Sequence, residues 1–167
     1  MVSFLALDFE TANRNSNSAC AIGLVRVENN QIVQKSYFLI RPPQQQFEFT
    51  YIHNIRWEDV VTQPNFGELW STLAEHFTEV DFVAAHNASF DRRVLYGCCD
   101  TYGIAKPPHD FICTVQLARQ VWNIYPTKLP NVCQYLAISL DHHQALSDAE
   151  ACARIVIAAH QSRKTLA

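Results

Sequence analysis

The sequence predicts one α/β domain in which a mixed central β-sheet is flanked by helices. β-rich segments come first, and strand and helix patterns alternate after them. Alternation of this kind is typical of layered α/β folds. The chain has 167 residues, of which 49% are hydrophobic, and this length and apolar content suit a single core. We therefore expect one domain over residues 1–167.

The first forty residues predict a three-stranded antiparallel sheet. Residues 2–7 form a short apolar run, and β-rich segments follow at 21–27 and 31–40. The Glu-Asn-Asn sequence at residues 28–30 has the turn chemistry of a hairpin. A polar loop with little periodicity is expected after the third strand, to about residue 56.

Helical patterns begin after this loop. Apolar residues recur at helical spacing across 66–77, and Asn65 with Glu68 forms a predicted capping box. The next predicted strand, 80–85, leads directly into a helix that carries Asp91 in its first turn.

The last third predicts one more strand and three helices. Residues 110–113 form a candidate short strand, and Thr114 is the predicted cap of the helix that follows. Another short helix is expected near residue 130. A capping box of Ser147 with Glu150 predicts the start of the last helix.

Three short acidic clusters carry the chemistry of the chain. They are D-F-E at residues 8–10, H-N-A-S-F-D at 86–91 and H-Q-A-L-S-D-A at 143–149. Asp8 and Glu10 are two apart on an extended segment, so their side chains leave the same face. Carboxylates brought close together repel, and Mg²⁺ or Mn²⁺ converts that repulsion into ligation. The clusters therefore predict metal-dependent hydrolysis.

In order and in separation, the clusters resemble the three motifs of the DnaQ-like 3′-to-5′ exonucleases of the histidine-containing DEDD group (DEDDh). The resemblance covers nearly the whole chain and implies a ribonuclease H-like fold. It implies that Asp8, Glu10, Asp91 and Asp148 hold two Mg²⁺ or Mn²⁺ ions. It also implies that His143 is the general base.

The expected reaction is phosphodiester hydrolysis from a 3′ end, releasing nucleoside 5′-monophosphates. Two cations about 3.5 to 4 Å apart would hold the attacking hydroxide and stabilise the leaving 3′ oxygen. A neutral imidazole can accept a proton near pH 7, and a loop position would let His143 reach the attacking water. His142 lies one residue too early in the motif for this role.

Contacts with substrate are expected from four further residues. The resemblance implies that Thr11 and Ala12 bring the backbone close to the terminal nucleotide. Phe90 either packs inward or supports a base, and Asn87 either caps its helix or contacts substrate. Many family members have a second threonine and a glycine after the first motif, whereas this chain has Thr11-Ala12-Asn13.

Each of the acidic residues also has a simpler explanation. Asp8 and Glu10 fit an ordinary polar strand end. Asp91 and Asp148 fit acids favoured in the first turn of a helix by its dipole, and His143 alone fits a surface loop. The conjunction of three clusters in family order favours the catalytic interpretation.

Single-stranded DNA or a frayed 3′ end is the expected substrate. The formal charge is −3 and the basic residues are scattered, which argues against a stable duplex binder. Two divalent cations would bring that sum to about +1, which suits a polyanion. RNA or short oligoribonucleotides are the alternative, because no side chain is assignable to a 2′-hydroxyl. A non-catalytic nucleic-acid-binding domain is the alternative from a different class.

The sequence also yields expectations about location and partners. Six cysteines without a C-x-x-C pair predict free thiols in a reducing compartment. No basic leader or membrane-length apolar run is present, so the expected location is cytoplasmic. The chain ends about one helix after Asp148, so we expect no dedicated polymerase-binding tail, and no particular protein partner is indicated.

Overall fold

A five-stranded mixed sheet forms the centre of the chain. The computed structural model describes residues 2–166, with side chains described to residue 163. The strands are β1 (Ser3–Thr11), β2 (Ala19–Glu28), β3 (Gln31–Leu39), β4 (Phe82–Ala85) and β5 (Phe111–Cys113). The helices are α1 (Thr50–His53), α2 (Trp57–Val60), α3 (Phe66–His76), α4 (Ala88–Thr101), α5 (Thr114–Trp122), α6 (Leu129–Leu136) and α7 (Ala145–Leu166).

The strand order is β3-β2-β1-β4-β5, and it confirms the predicted mixed sheet. β1, β2 and β3 pair antiparallel, whereas β4 and β5 run parallel to β1. Asn29 and Asn30 in the first hairpin both have positive φ, 51° and 63°, as a type I′ turn requires. β1 continues beyond the predicted end at Leu7 as far as Thr11. The polar segment predicted as a loop contains the short helices α1 and α2.

Side-chain alternation along β1 assigns its two faces to different layers. Phe4 and Ala6 pack into a cluster with residues of α7 such as Cys152. Leu5 and Leu7 instead pack into the cluster that includes residues of α3 and α4. Because side chains alternate along a strand, the residues at positions 8 and 10 continue the face that α7 covers.

Gly23 fixes how closely the first turn of α7 approaches the sheet. It pairs directly with Asp8 across β1 and β2. A Cβ at this position would collide with the carbonyl group of Ala145 and lie 2.7 Å from the Cα of Leu146. The glycine therefore lets the start of α7 lie on β2 beside Asp8.

We expect Gly23→Ala to lower the free energy of unfolding by about 1–3 kcal/mol, because backbone atoms must move to admit the methyl group. Urea denaturation measures this. Gly67→Ala is the comparison, and we expect a smaller loss there, because its three nearest contacts would be with side-chain rather than backbone atoms, at 2.8 Å from Cδ1 of Tyr102, and alanine favours a helix. A Gly23→Ala protein as stable as wild type would show that α7 is not seated on this glycine.

One predicted helix cap is confirmed, and another is wrong. Asn65 accepts the N–H of Glu68 at 2.8 Å, and Glu68 accepts the N–H of Asn65 at 3.1 Å. α7 begins at Ala145 rather than after Ser147, whose hydroxyl accepts the N–H of Asp141 at 2.8 Å. The helix starts earlier because its first turn lies on β2.

Two more predicted capping residues have other roles. Glu150, the predicted partner of Ser147, instead lies 2.8 Å from the Nζ of Lys35. Thr114 is the first residue of α5 and makes no side-chain cap; its hydroxyl lies 2.8 Å from Nδ1 of His86. Within residues 2–166, no helix combines the length and apolar content needed to cross a membrane.

Candidate active site

Three carboxylates converge where β1 ends and α7 begins. Asp8 and Glu10 come from the face of β1 that α7 covers, and Asp148 comes from the first turn of α7. One oxygen from each carboxylate lies within 4.8 Å of the other two. Asp8 and Glu10 thus lie on one face of β1, as their two-residue spacing predicts, and Asp148 of α7 faces them.

Asp91, the fourth predicted carboxylate, lies outside this group of three. It is 1% exposed in the first turn of α4, and its Oδ1 accepts the N–H of Phe9 at 2.9 Å. Its charge nevertheless raises the pKa of both Asp8 and Glu10. Asp91 therefore belongs to the same electrostatic cluster while also tying α4 to β1.

Burial makes the charged forms of these carboxyl groups costly. Burial, followed by the charges of the neighbouring acids, raises the pKa of Asp8 well above its ordinary value and that of Glu10 to about 8. Burial likewise raises the pKa of Asp91 to about 8, and it raises that of Asp148. Such raised values mark carboxylates that lack a compensating positive charge.

The donor set fits a divalent cation. Within the described residues, Oδ2 of Asp8 is buried without a hydrogen-bond partner, and an unpaired buried polar atom requires a reason. Mg²⁺ and Mn²⁺ prefer carboxylate oxygens, and three such groups surround this point. A bound cation would satisfy the orphaned oxygen and lower the raised pKa values.

We expect the metal-free protein to lose stability as the pH rises between about 7 and 8. Glu10 and Asp91 have folded pKa values of about 8, far above those of unfolded carboxyl groups. The native state therefore holds protons that the unfolded state has lost, which reverses the usual sign for acids. Unfolded histidines are mostly neutral in this window, so the half-buried His53 and His86 contribute little to the pH dependence.

Melting temperatures in EDTA across this pH range test the expectation. Glu10→Gln should reduce the fall of the melting temperature with rising pH, and saturating Mn²⁺ should remove that fall. A melting temperature of the metal-free protein that is constant or rises would contradict it.

Two adjacent histidines face the carboxylates from the loop before α7. Each offers a ring nitrogen within 4.8 Å of the other and of an Asp148 oxygen. Nδ1 of His142 lies 3.4 Å from Oδ1 of Asp148, whereas His143 donates its backbone N–H to Oδ2 at 3.1 Å. The rings stack with centroids 3.7 Å apart. Partial burial and the neighbouring His142 lower the pKa of His143, which favours its neutral form near pH 7.

A cleft of about 690 Å³ opens onto this cluster. The predicted site residues that line it are Asp8, Glu10, Thr11, Asn87, Phe90, His143 and Asp148. Asn87 is exposed there in a left-handed conformation and makes no side-chain cap for α4. A larger cavity of about 840 Å³ lies between the first hairpin and α7 and contains none of these residues.

Ala12 is not among the residues that line the cleft. It is fully buried, its N–H donates to the carbonyl of Ser18 at 2.8 Å, and its own carbonyl accepts the N–H of Glu48 at 2.7 Å. Its backbone groups therefore anchor two loops to the end of β1.

Sequence patterns missed the histidine on one wall of the cleft. Nδ1 of His53 accepts the N–H of Ile55 at 3.0 Å, so Nε2 carries the proton and donates to the carbonyl of Thr11 at 2.9 Å. His53 thus holds the backbone directly after Glu10. Its segment is polar and aperiodic, and no motif marked it.

The part of the cleft formed by α5 and the segment before α6 supplies positive charge that the sequence patterns also missed. Arg119 of α5 and Lys128, just before α6, line the cleft there. His86 ties the same part of the cleft to β4, because its Nε2 donates to the carbonyl of Thr127 at 2.9 Å. Both ring nitrogens of His86 are therefore used in structural contacts.

Comparison with known proteins identifies relatives over most of the chain. Residues 5–156 match the RNase T family, described as exonuclease. Exodeoxyribonuclease 10 of Escherichia coli K12 is 32% identical over 145 residues, covering 81% of this chain and 59% of that protein. The PolC-type DNA polymerase III of Thermotoga maritima is 27% identical over 159 residues, covering 93% of this chain and 12% of that protein. The chain therefore spans about three fifths, or much less, of these relatives.

Solved structures confirm the ribonuclease H-like fold. Exonuclease X, determined in complex with 5′ overhanging duplex DNA, superimposes with a TM-score of 0.77 at 25% identity, covering 98% of this chain and 93% of that one. The nuclease domain of 3′hExo, a DEDDh family member bound to rAMP, superimposes with a TM-score of 0.81 at 16% identity, covering 95% and 92%. The second match bears on the fold alone.

Proposed function

Since the chain belongs to the RNase T family of exonucleases, we propose that it removes nucleotides from the 3′ ends of single-stranded or frayed DNA by metal-dependent phosphodiester hydrolysis. The observation that carries this proposal is the convergence of Asp8, Glu10 and Asp148 with His143 at one cleft. Hydrolysis at phosphorus needs charge stabilisation, a proton acceptor and room for the strand, and the cleft offers all three.

Asp8, Glu10 and Asp148 would hold Mg²⁺ or Mn²⁺, in a two-ion site to which Asp91 adds a fourth carboxylate. The bound cations would supply Lewis-acid stabilisation of the charge that develops on the phosphate. Before binding, the raised pKa values keep some of these groups protonated. Metal binding therefore releases protons and is expected to tighten as the pH rises.

His143 accepts the proton of the attacking water in this proposal. Its backbone N–H binds Asp148 at 3.1 Å, so the proton acceptor and a metal ligand are held together. Its ring lines the cleft on the exposed loop, where the proton can pass on to solvent. The released product is a nucleoside 5′-monophosphate.

The terminal nucleotide would lie in the apolar part of the cleft. Phe49, Ile52 and Phe90 line it, and aromatic rings offer stacking surfaces that accept any base. Thr11, 6% exposed, lines the same part of the cleft, with its carbonyl held by His53. This arrangement supports recognition of a strand end with little sequence preference.

The relatives favour DNA over RNA as the substrate of this chain. The 32%-identical relative is an exodeoxyribonuclease, and exonuclease X was determined with DNA. An exoribonuclease or oligoribonuclease remains the second candidate, because no side chain is assigned to the recognition of a 2′-hydroxyl. A non-catalytic binding domain is disfavoured because all four carboxylates and His143 are present. The six free cysteines support a reducing compartment, and we place the enzyme in the cytoplasm.

Cleavage of end-labelled oligonucleotides tests the proposal. Single-stranded DNA and RNA of one sequence are incubated with Mg²⁺, with Mn²⁺ or with EDTA, and Asp148→Ala serves as the inactive control. Release of mononucleotides from the 3′ end of DNA, absent in EDTA and in the variant, is expected. Cleavage of RNA alone would show that the substrate is RNA rather than DNA. Cleavage of neither would support the non-catalytic binding domain.

A further inference from the structure

A second, smaller pocket adjoins the active-site cleft. It has a volume of about 340 Å³ and is lined by Ile124, Tyr125, Pro126, Asn131, Gln134 and Tyr135. Pro126 also lines the cleft, so the two depressions share a wall. A nucleic-acid strand whose 3′ end lies at the carboxylates can continue from the cleft into the smaller pocket.

Two tyrosines in this pocket are left in solvent. Tyr125 is 63% exposed and Tyr135 is 61% exposed. Ile124, directly before the first tyrosine, and Thr127, two residues after it, are nonetheless buried, with exposures of 7% and 5%. A segment whose flanks are buried thus holds an aromatic ring outside the core, which core packing does not explain.

A hydrogen-bond network holds the segment that carries Tyr125. The hydroxyl of Thr127 donates to the carbonyl of Ile124 at 2.7 Å and accepts from Nε of Arg119 at 2.9 Å. The carbonyl of Thr127 accepts from Nε2 of His86 at 2.9 Å. The guanidinium of Arg119 then lies 5.0 Å from the centroid of the Tyr125 ring, a cation–π distance. The ring is therefore held in place before any ligand arrives.

The surroundings of the pocket suit a nucleic-acid strand. Arg119 and Lys128 line the cleft on the side that carries Pro126, where they can neutralise phosphates. Asn131 and Gln134 place side-chain amides in the pocket, and amides both donate and accept hydrogen bonds. Exposed aromatic rings beside a basic groove are the usual means of binding single strands.

We infer that this pocket binds a base of the same strand, upstream of the scissile phosphate, by stacking on Tyr125 and Tyr135. Arg119 and Lys128 contact the phosphates between that base and the terminal nucleotide. The inference rests on the proposed nuclease function and adds a second binding site to it. Substrates long enough to reach the pocket gain affinity, whereas a dinucleotide gains none.

The test compares a hexanucleotide with a dinucleotide as substrates of the same enzyme. The measured quantity is kcat/KM for the hexanucleotide divided by kcat/KM for the dinucleotide. Tyr125→Ala is expected to lower this ratio by about 5-fold or more, the effect of losing one base stack. The ratio should fall because the KM for the hexanucleotide rises. Tyr125→Phe retains the ring and should keep the wild-type ratio. Tyr51→Ala removes a tyrosine that is 83% exposed on α1 and should leave the ratio unchanged.

The possible outcomes distinguish failure of this inference from failure of the proposed nuclease function on which it rests. Wild-type protein that cleaves neither substrate would overturn the proposed function and the inference together. Wild-type cleavage with an unchanged ratio in Tyr125→Ala would overturn the inference alone. An equal fall of the ratio in Tyr51→Ala would also overturn it, because the effect would then not belong to this pocket.

Discussion

Asp8→Asn is expected to abolish hydrolysis and to make the metal-free protein more stable. Asp8 shares an oxygen cluster with Glu10 and Asp148, so its loss removes a central ligand of the proposed metal site. Loss of the several kcal/mol that a catalytic metal supplies corresponds to a fall in rate of at least about 10³-fold. Single-turnover cleavage of a labelled oligonucleotide with Mn²⁺ measures this effect.

The gain in stability follows from the electrostatics of the empty site. Burial and three neighbouring acids raise the pKa of Asp8, so its carboxylate destabilises the fold at neutral pH. An amide has nearly the same volume and no charge, and its N–H groups can donate to the carboxylates around it. A gain of about 1 kcal/mol would raise the melting temperature by about 2–4 °C in a domain of this size.

Metal titration gives this prediction a second measurement. Wild-type protein should melt at a higher temperature as Mn²⁺ is added, because ligands that bind the native state stabilise it. Asp8→Asn should lose most of that rise. Asp100→Asn makes the same substitution at an exposed position of α4 and should keep both activity and the rise. Retained activity, or an unchanged response to metal, would show that Asp8 is not a ligand.

The fold was predictable where the sequence carries local periodicity. The β-rich segments before residue 40 and the capping box at Asn65 needed no information from distant residues, and the structure confirms both. The end of β1 was not found because Asp8 and Glu10 interrupt the apolar run that marks a strand. Their charges serve the site rather than the core, and functional residues commonly break local patterns in this way.

The start of α7 was mispredicted for a long-range reason. Ser147 and Glu150 have the spacing of a capping box, yet the helix begins at Ala145. Gly23, far away in the sequence, admits the first turn against β2, and the side chain of Gln144 accepts the N–H of Ser147 at 2.8 Å. No local pattern records the absence of a Cβ on another strand.

The candidate site was predictable in its acids but not in its walls. Motif order was enough to predict that Asp8, Glu10 and Asp148 converge, whereas Asp91 lies outside their group of three. His53, Arg119 and Thr127 acquire their roles through contacts that join distant segments, such as the bond from His53 to Thr11 across 42 residues. Such contacts depend on tertiary packing and leave no periodicity in the sequence.

His143→Asn is expected to lower kcat by about 10²-fold or more, the usual effect of losing a general base. The residue has a positive φ of 67°, a conformation that asparagine tolerates better than alanine does. The variant therefore keeps the loop, and with it the backbone N–H that binds Asp148. KM and the rise in melting temperature with Mn²⁺ should stay near the wild-type values.

His142→Asn is the matched comparison, because the two rings stack and both reach the cluster. Nδ1 of His142 lies 3.4 Å from Oδ1 of Asp148, so its ring is engaged by a proposed metal ligand, whereas His143 binds that residue through its backbone. We therefore expect the smaller loss of kcat in His142→Asn, measured under single-turnover conditions with saturating Mn²⁺. A larger loss there would assign the base to His142, and a loss of metal response in His143→Asn would make that residue a ligand instead of a base.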